Sequence, residues 1–188
     1  MQPLFTHVMV DLETMSTESN AAILSIGAVK FNPHIPGEIY ESFYVNVDLS
    51  SCINAGMHVS GSTVEWWMHP DRAEAREALR ATEAVDIGAA ITGFMQWFGP
   101  VSLPLWGNGA TFDNVILANA FKRMGEMVPW KHYHDRCFRT MKSLFPVETI
   151  PEPNVGVPHQ ALYDATKQTL HLQEIYKRYM VPMEMPGA

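Results

Sequence analysis

The chain has 188 residues, of which 47% are hydrophobic and 18% charged, values typical of one globular domain with a sizeable core. Its two cysteines are too few for a disulfide framework, and no apolar run approaches the roughly 20 residues that cross a bilayer. The N-terminus has no signal-peptide pattern, so we expect a cytoplasmic protein without membrane contacts. The net charge of −7 argues against a protein that grips a long stretch of nucleic-acid backbone through many Lys and Arg side chains.

The first part of the chain predicts three strands, followed by a change to helical periodicity. Apolar side chains alternate with others over residues 7–13, and residues 24–31 and 39–47 give two more strands. The links between them are short, and the second is rich in turn residues, which indicates an antiparallel arrangement. A helix is predicted to begin at Ser62, where Glu65 completes a capping box.

The rest of the chain predicts helices interrupted by two short strands. Together the elements predict an α/β fold: a mixed five-stranded sheet, with its three antiparallel strands first and helices on both faces. We expect a single domain over residues 1–188, in which residues 181–188 form a flexible tail. The further helices are predicted at residues 72–80, 86–98, 112–124, 136–144 and 159–179, and the further strands at residues 101–106 and, at an edge, 130–134.

The end of the first strand carries two carboxylates, Asp11 and Glu13. Residues i and i+2 of a strand point to the same side, so these two groups lie close together beside the core. They would repel each other strongly there, and a shared cation would remove that repulsion. A strand end whose acidic groups simply face water explains the pair as well, and for this short pattern alone it is the better explanation.

Two later segments place further acidic groups near helix entrances. Asp113 follows the fourth predicted strand, and it is either a functional carboxylate or a cap of the next helix. His159 stands at the entrance of the last helix and Asp164 is expected in its second turn. A histidine there can accept a proton near neutral pH, whereas the simpler alternatives are a surface histidine and a helix-dipole partner. Taken singly, the simpler alternatives are favoured for His159 and Asp164.

Taken together, the segments form three motifs in a fixed order: Asp11-x-Glu13, Asn108-x3-Phe112-Asp113 and His159-x4-Asp164. In this combination the sequence resembles the DEDDh exonucleases of the ribonuclease H-like superfamily, which includes polymerase proofreading domains, oligoribonuclease and ribonuclease T. The tyrosine variant of the third motif would need Tyr at position 160, where the chain has Gln160. The chain departs from many members at Ser16 and at Tyr163, which affects substrate preference rather than the five key side chains.

The resemblance implies a site for two divalent cations, Mg²⁺ with Mn²⁺ as a substitute. In this interpretation Asp11, Glu13 and Asp164 hold the ion that carries the attacking water, and Asp11 and Asp113 hold the second ion near the leaving oxygen. His159 takes the proton from the water. Asp and Glu suit hard cations, which prefer oxygen ligands, and two ions stabilise the attacking and the leaving oxygen.

The resemblance also implies a pocket and a substrate. Thr14, Met15, Asn108 and Phe112 are expected to line the pocket for the terminal nucleotide, although Phe112 fits the core equally well. We predict a 3′→5′ exonuclease that releases nucleoside 5′-monophosphates from the 3′ end of a nucleic acid, with DNA favoured over RNA and a homodimer as an expected assembly. The alternatives are an exoribonuclease of the same family, a non-catalytic module that binds nucleic-acid ends, and a ribonuclease H-type endonuclease.

One aromatic pair, Trp66 and Trp67, remains open at this stage. Adjacent residues of a helix cannot both face the core. We favour one core tryptophan with a half-exposed partner over an arrangement that offers a stacking surface to a base.

Overall fold

The structure, a computed structural model, describes residues 5–180, so the predicted tail at residues 181–188 lies outside the described residues. A six-stranded mixed sheet forms its centre, with the strand order β4-β3-β2-β1-β5-β6. The first three strands are antiparallel to their chain neighbours, and β4, β5 and β6 each pair in parallel. The strands are β1 His7–Thr14, β2 Ile23–Phe31, β3 Ile39–Val47, β4 Ala84–Val85, β5 Leu105–Gly107 and β6 Asp135–Cys137.

Seven α-helices lie within residues 5–180, and none of them is long and apolar enough to cross a membrane. Single 3₁₀ turns at Pro70–Arg72 and His132–His134 complete the regular structure of this part of the chain. The helices are α1 Leu49–Asn54, α2 Gly61–Met68, α3 Ala73–Arg80, α4 Ile87–Phe98, α5 Asp113–Arg123, α6 Phe138–Leu144 and α7 Ala161–Tyr179.

The mixed α/β fold confirms the predicted class, but the sheet has six strands and not five. Strand β4 was missed because two residues are too few to show any periodicity, and the six-residue helix α1 was missed as well. The fourth strand was predicted at residues 101–106 but begins at Leu105. Pro104 lies just before it, and its carbonyl accepts a hydrogen bond from the Val8 amide of β1. The predicted edge strand at 130–134 is wrong, because residues 132–134 form the 3₁₀ turn and the strand follows it.

The cap of helix α2 also differs from the prediction. The helix begins at Gly61, and the side chain of Ser60 accepts a hydrogen bond from the Thr63 amide. The capping box predicted at Ser62 is therefore wrong by two positions, since Ser60 has the extended backbone that a cap requires.

The two faces of the sheet pack against different helices, as the alternation in β1 requires. Val8, Val10 and Leu12 point into the larger core, which contains the buried faces of α4 and α5. Met9 points to the opposite face, where its cluster includes residues of α6 and α7. Residues 11 and 13 share the face of Met9, so strand alternation directs both acidic side chains towards α7.

Gly27 explains how closely α7 approaches the sheet. It is paired with Asp11 across β1 and β2. A Cβ atom at this position would overlap the backbone of Ala161 and Leu162, the first two residues of α7. Only glycine lets the first turn of α7 lie directly on β2, and this contact brings Asp164 towards the carboxylates of β1.

Candidate active site

The first two carboxylates of the site lie at the end of β1. Asp11 and Glu13 are both buried, and the amide nitrogen Nε2 of Gln168 in α7 donates a hydrogen bond of 2.7 Å to Asp11 Oδ1. A β-bulge follows directly, between Glu13 and Thr14, and changes the register of the strand there. The bulge ends the regular pairing at the point where the chain leaves the sheet beside the site.

Asp113 joins this pair from the first turn of α5. Its carboxylate is 2% exposed, and its Oδ1 accepts a hydrogen bond of 3.1 Å from the backbone amide of Leu12. Because Leu12 lies between Asp11 and Glu13, this bond fixes the start of α5 against the acidic segment of β1. Gly107 permits the approach, since a Cβ there would overlap the side chains of Asp113 and Asn114.

The third motif comes from the loop before α7 and from its first turn. Asp164 lies in the first turn, and His159 precedes the helix, which begins at Ala161 and not at residue 159 as predicted. His159 has φ of 63°, the left-handed region, and its backbone amide donates to Asp164 Oδ2 at 3.0 Å. The ligand atoms of Glu13, His159 and Asp164 all lie within 4.8 Å of one another.

The electrostatics of this cluster are unfavourable without a cation. Burial, with the charge of Asp113 next, raises the pKa of Asp11 well above its usual range, and burial with Asp164 does the same for Glu13. Burial raises the pKa of Asp113 to about 7 and also raises the pKa of Asp164. Among residues 5–180, no Lys or Arg forms an ion pair with any of the four. A mostly buried set of carboxylate oxygens without an ion-paired Lys or Arg fits divalent cations well.

A cavity of about 350 Å³ opens beside Glu13. Thr14 and Phe112 line it, and the 40% exposed ring of Trp66 forms part of its wall. Trp66 also stands edge-on to the His159 ring, with centroids 5.2 Å apart. Its neighbour Trp67 is only 5% exposed, so the pair consists of one core and one half-exposed tryptophan.

Two residues expected in the same pocket lie elsewhere. Met15 packs against the larger hydrophobic core and does not line this cavity. Asn108 lines a second, smaller cavity on the side of Asp164, and its carbonyl accepts a hydrogen bond from Arg139.

Several supporting contacts were missing from the sequence interpretation. Trp67 Nε1 donates 2.9 Å to the carbonyl of Thr14 and so ties α2 to the end of β1. The guanidinium of Arg72 lies 4.3 Å above the Trp66 ring, and its charge lowers the pKa of Glu13 in opposition to burial. Only Gln168 had a sequence signal, because it follows Asp164 by four residues on the same helix face.

A sequence model of the family described as the 3′-5′ exoribonuclease Rv2179c-like domain matches residues 6–176. The chain belongs to this family. The description of this family names a 3′-5′ exonuclease activity, which is the hydrolysis of phosphodiester bonds at the end of a nucleic acid, and it confirms the predicted enzyme class. A comparison with curated protein sequences gave no match.

Solved structures of E. coli exonuclease I have the same fold as this Rv2179c-like domain. The zinc-bound complex of that enzyme with single-stranded DNA aligns with a TM-score of 0.61 and 18% identity, over 95% of this chain and 42% of exonuclease I. A second structure of exonuclease I gives a TM-score of 0.62 and 16% identity, over 93% of this chain and 41% of the other. The Rv2179c-like domain therefore spans about two fifths of the exonuclease I chain.

Proposed function

We propose that this protein removes nucleoside 5′-monophosphates one at a time from the 3′ end of a nucleic-acid strand, by hydrolysis that depends on two divalent cations. The observation that carries the proposal is the convergence of three motifs, distant in sequence, on one buried acidic site. A cluster this repulsive lowers the stability of the protein unless it is used for binding cations.

Four side chains would hold the cations. Asp11, Glu13 and Asp164 supply oxygen ligands from β1 and α7, and Asp113 supplies them from α5. Two bound cations supply positive charge at the attacking and leaving oxygens of the phosphate. The hydrogen bonds that Gln168 and the Leu12 amide donate leave each aspartate a second oxygen for this purpose.

His159 would act as the general base. Its ring belongs to the same cluster as Glu13 and Asp164, so an imidazole nitrogen lies within reach of a water that attacks the phosphate there. The backbone bond to Asp164 and the edge-on contact with Trp66 hold the residue in its left-handed conformation. Asp164 thus supports the base as well as supplying a ligand.

The cavity beside Glu13 would take the terminal nucleotide. Its volume of about 350 Å³ lies in the lower part of the range for ligand pockets and suits one nucleotide rather than a continuous strand. The exposed face of Trp66 offers a stacking surface for the base, a contact worth about 1–3 kcal/mol. Thr14 and Phe112 complete the wall.

DNA is the substrate that we propose first, and RNA is the second candidate. The fold similarity to exonuclease I, which has been solved with single-stranded DNA, supports DNA. The description of the matching family as exoribonucleases supports RNA. The cytoplasmic location and the homodimer stay predictions.

The test is a time course with 5′-labelled single strands of DNA and RNA of the same sequence, in Mg²⁺ and in chelator. A ladder that shortens by one nucleotide from the 3′ end, only with Mg²⁺, is expected for the wild-type protein and for the control Glu126→Gln, which alters an exposed carboxylate far from the motifs. Asp113→Asn should leave the strand intact. Internal fragments as first products would contradict the proposal.

A further inference from the structure

A second cavity, of about 200 Å³, lies on the other side of the carboxylates from the proposed nucleotide pocket. It is lined by a stripe of α7 that runs from Asp164 through Lys167 and Gln168 to His171. These residues are spaced i, i+3, i+4 and i+7, so they share one helix face. Lys142 of α6 and Asn108 close the opposite side, and the two cavities have no lining residue in common.

The floor of this second cavity contains two buried polar side chains that each have one atom without a hydrogen-bond partner in the described structure. Neither Gln168 Oε1 nor His171 Nε2 has a hydrogen-bond partner among residues 5–180, and both side chains are more than nine-tenths buried. A buried polar atom without a partner is unfavourable by about 1–3 kcal/mol. His171 Nε2 can donate a hydrogen bond to a bound anion, whereas Gln168 Oε1 accepts hydrogen bonds only and gives no support for one. Burial, followed by the charge of Lys142, lowers the pKa of His171, so its ring is neutral and retains one N–H donor.

Positive charge gathers at the rim of the second cavity, although the protein as a whole has a net charge of −7. Lys142 is exposed and makes no ion pair or side-chain hydrogen bond with the described part of the chain. Lys167 is paired at 2.6 Å with Glu152, and Arg139 lies one turn before Lys142 on α6. One carboxylate, Asp164, stands at the inner end and belongs to the catalytic cluster.

We propose that the second cavity is a phosphate subsite, which binds the phosphodiester next to the scissile one on its 5′ side through Lys142 and Lys167. The proposal rests on the proposed function, because that function sets the direction of the strand. With the terminal nucleotide in the pocket of Trp66 and the scissile phosphate at the carboxylates, only the upstream chain remains to cross α7. His171 lies seven residues, or about 10 Å, beyond Asp164 along the helix, which is too far for the scissile phosphate itself.

The carboxylate of Glu152 competes with a phosphate for Lys167. Glu152 accepts hydrogen bonds from both Lys167 and Tyr163, so a phosphate must replace this carboxylate to gain the full charge of Lys167. Glu152→Gln removes the competing charge while it keeps the shape of the side chain. We therefore expect this variant to cleave a native strand faster at limiting substrate, by a factor of about 2–5 for a partly exposed pair.

The experiment measures single-turnover cleavage of a short single strand of DNA or RNA, whichever the enzyme cleaves. In one version of the strand a single phosphate is replaced by an uncharged methylphosphonate. Placed next to the scissile phosphate, the methylphosphonate should slow the wild-type protein about tenfold, the lower end for a hydrogen bond to a charged group. Lys142→Ala should slow the native strand by several-fold, and the methylphosphonate should then slow cleavage by clearly less than tenfold, because only Lys167 is left to contact that phosphate. Lys122 is an exposed lysine of α5, and Lys122→Ala removes the same charge. This control should still cleave the native strand about tenfold faster than the methylphosphonate strand.

The subsite is refuted if the methylphosphonate slows Lys142→Ala as much as it slows the wild type. It is also refuted if the wild type cleaves the methylphosphonate strand as fast as the native strand. In both cases the strand is still cut, so the proposed exonuclease function stands. If no strand is cut, the exonuclease function fails, and fluorescence anisotropy of the same labelled strands decides the subsite. Equal binding of native and methylphosphonate strands would then refute it as well.

Discussion

Replacement of Asp113 by asparagine should stabilise the metal-free protein, and the effect should grow with pH. The carboxyl is 2% exposed, and its pKa rises from 3.8 to about 7 on burial. Asparagine keeps the oxygen that accepts the hydrogen bond from Leu12. It removes the charge that the folded protein would otherwise have to bury.

The sign follows from the raised pKa. Below pH 3.8 the carboxyl is protonated in both the folded and the unfolded chain, so it has no effect on stability. As the pH rises to about 7, only the unfolded chain releases the proton, and stability is lost progressively. At about 1.4 kcal/mol per pH unit, the full loss above neutrality is about 4 kcal/mol, and at pH 5 it is about 2 kcal/mol.

The assay is thermal unfolding of wild type and Asp113→Asn in chelator, at pH 5 and at pH 8. For a domain of this size 1 kcal/mol shifts Tm by about 2–4 °C, so the variant should melt about 8–16 °C higher at pH 8 and about half as much higher at pH 5. Excess Mg²⁺ should narrow the difference at pH 8, because it stabilises the wild type selectively. Glu126→Gln is the matched control, and its Tm should equal that of the wild type at both pH values. A variant that melts lower than wild type at pH 8 in chelator would refute the argument.

Three further results are expected. Asp11→Ala and Glu13→Ala should each lower kcat by several orders of magnitude in steady-state cleavage of a labelled strand, and near-normal turnover in either variant would remove that residue from the ligand set. Chelator should lower the kcat of the wild type as much, until Mg²⁺ or Mn²⁺ is restored. Ca²⁺ should bind but support almost no turnover. His159→Ala should lower kcat by about 10²–10⁴ with little change in KM, and His159→Asn should not restore it, since an amide does not accept the proton. Trp66→Ala should raise KM by about tenfold or more through lost stacking, and Trp66→Phe should bring KM most of the way back to the wild-type value. An unchanged KM in Trp66→Ala would mean that the ring only packs against neighbouring side chains and does not contact the base.

The positions of the four carboxylates followed from simple rules, which is why the sequence was informative here. Strand alternation puts Asp11 and Glu13 on one face, and Asp113 follows a neighbouring parallel strand whose carboxyl end meets theirs. The spacing of the third motif set Asp164 close to the start of a helix, although the predicted start was two residues early. Local periodicity placed these groups at the ends of strands and the starts of helices, and the resemblance to the DEDDh exonucleases joined them into one predicted site.

The remaining parts of the site depend on contacts that periodicity does not encode. Strand β4 has two residues, and it exists because it pairs with the end of β3. The wall of the nucleotide pocket comes from α2, which is held to β1 by the Trp67 bond to the Thr14 carbonyl. Met15 leaves the expected pocket beyond a β-bulge, which one strand alone does not reveal.

The distribution of charge explains how so acidic a protein can act on a polyanion. Two divalent cations held by the four carboxylates would change the net charge from −7 to −3. The carboxylates would then attract a phosphate instead of repelling it, and Lys142 and Lys167 would add positive charge on the upstream side of the same groove. With these groups in place, attraction for the strand would be confined to the few phosphates next to its 3′ end, and the net negative charge would oppose nonspecific binding along the backbone.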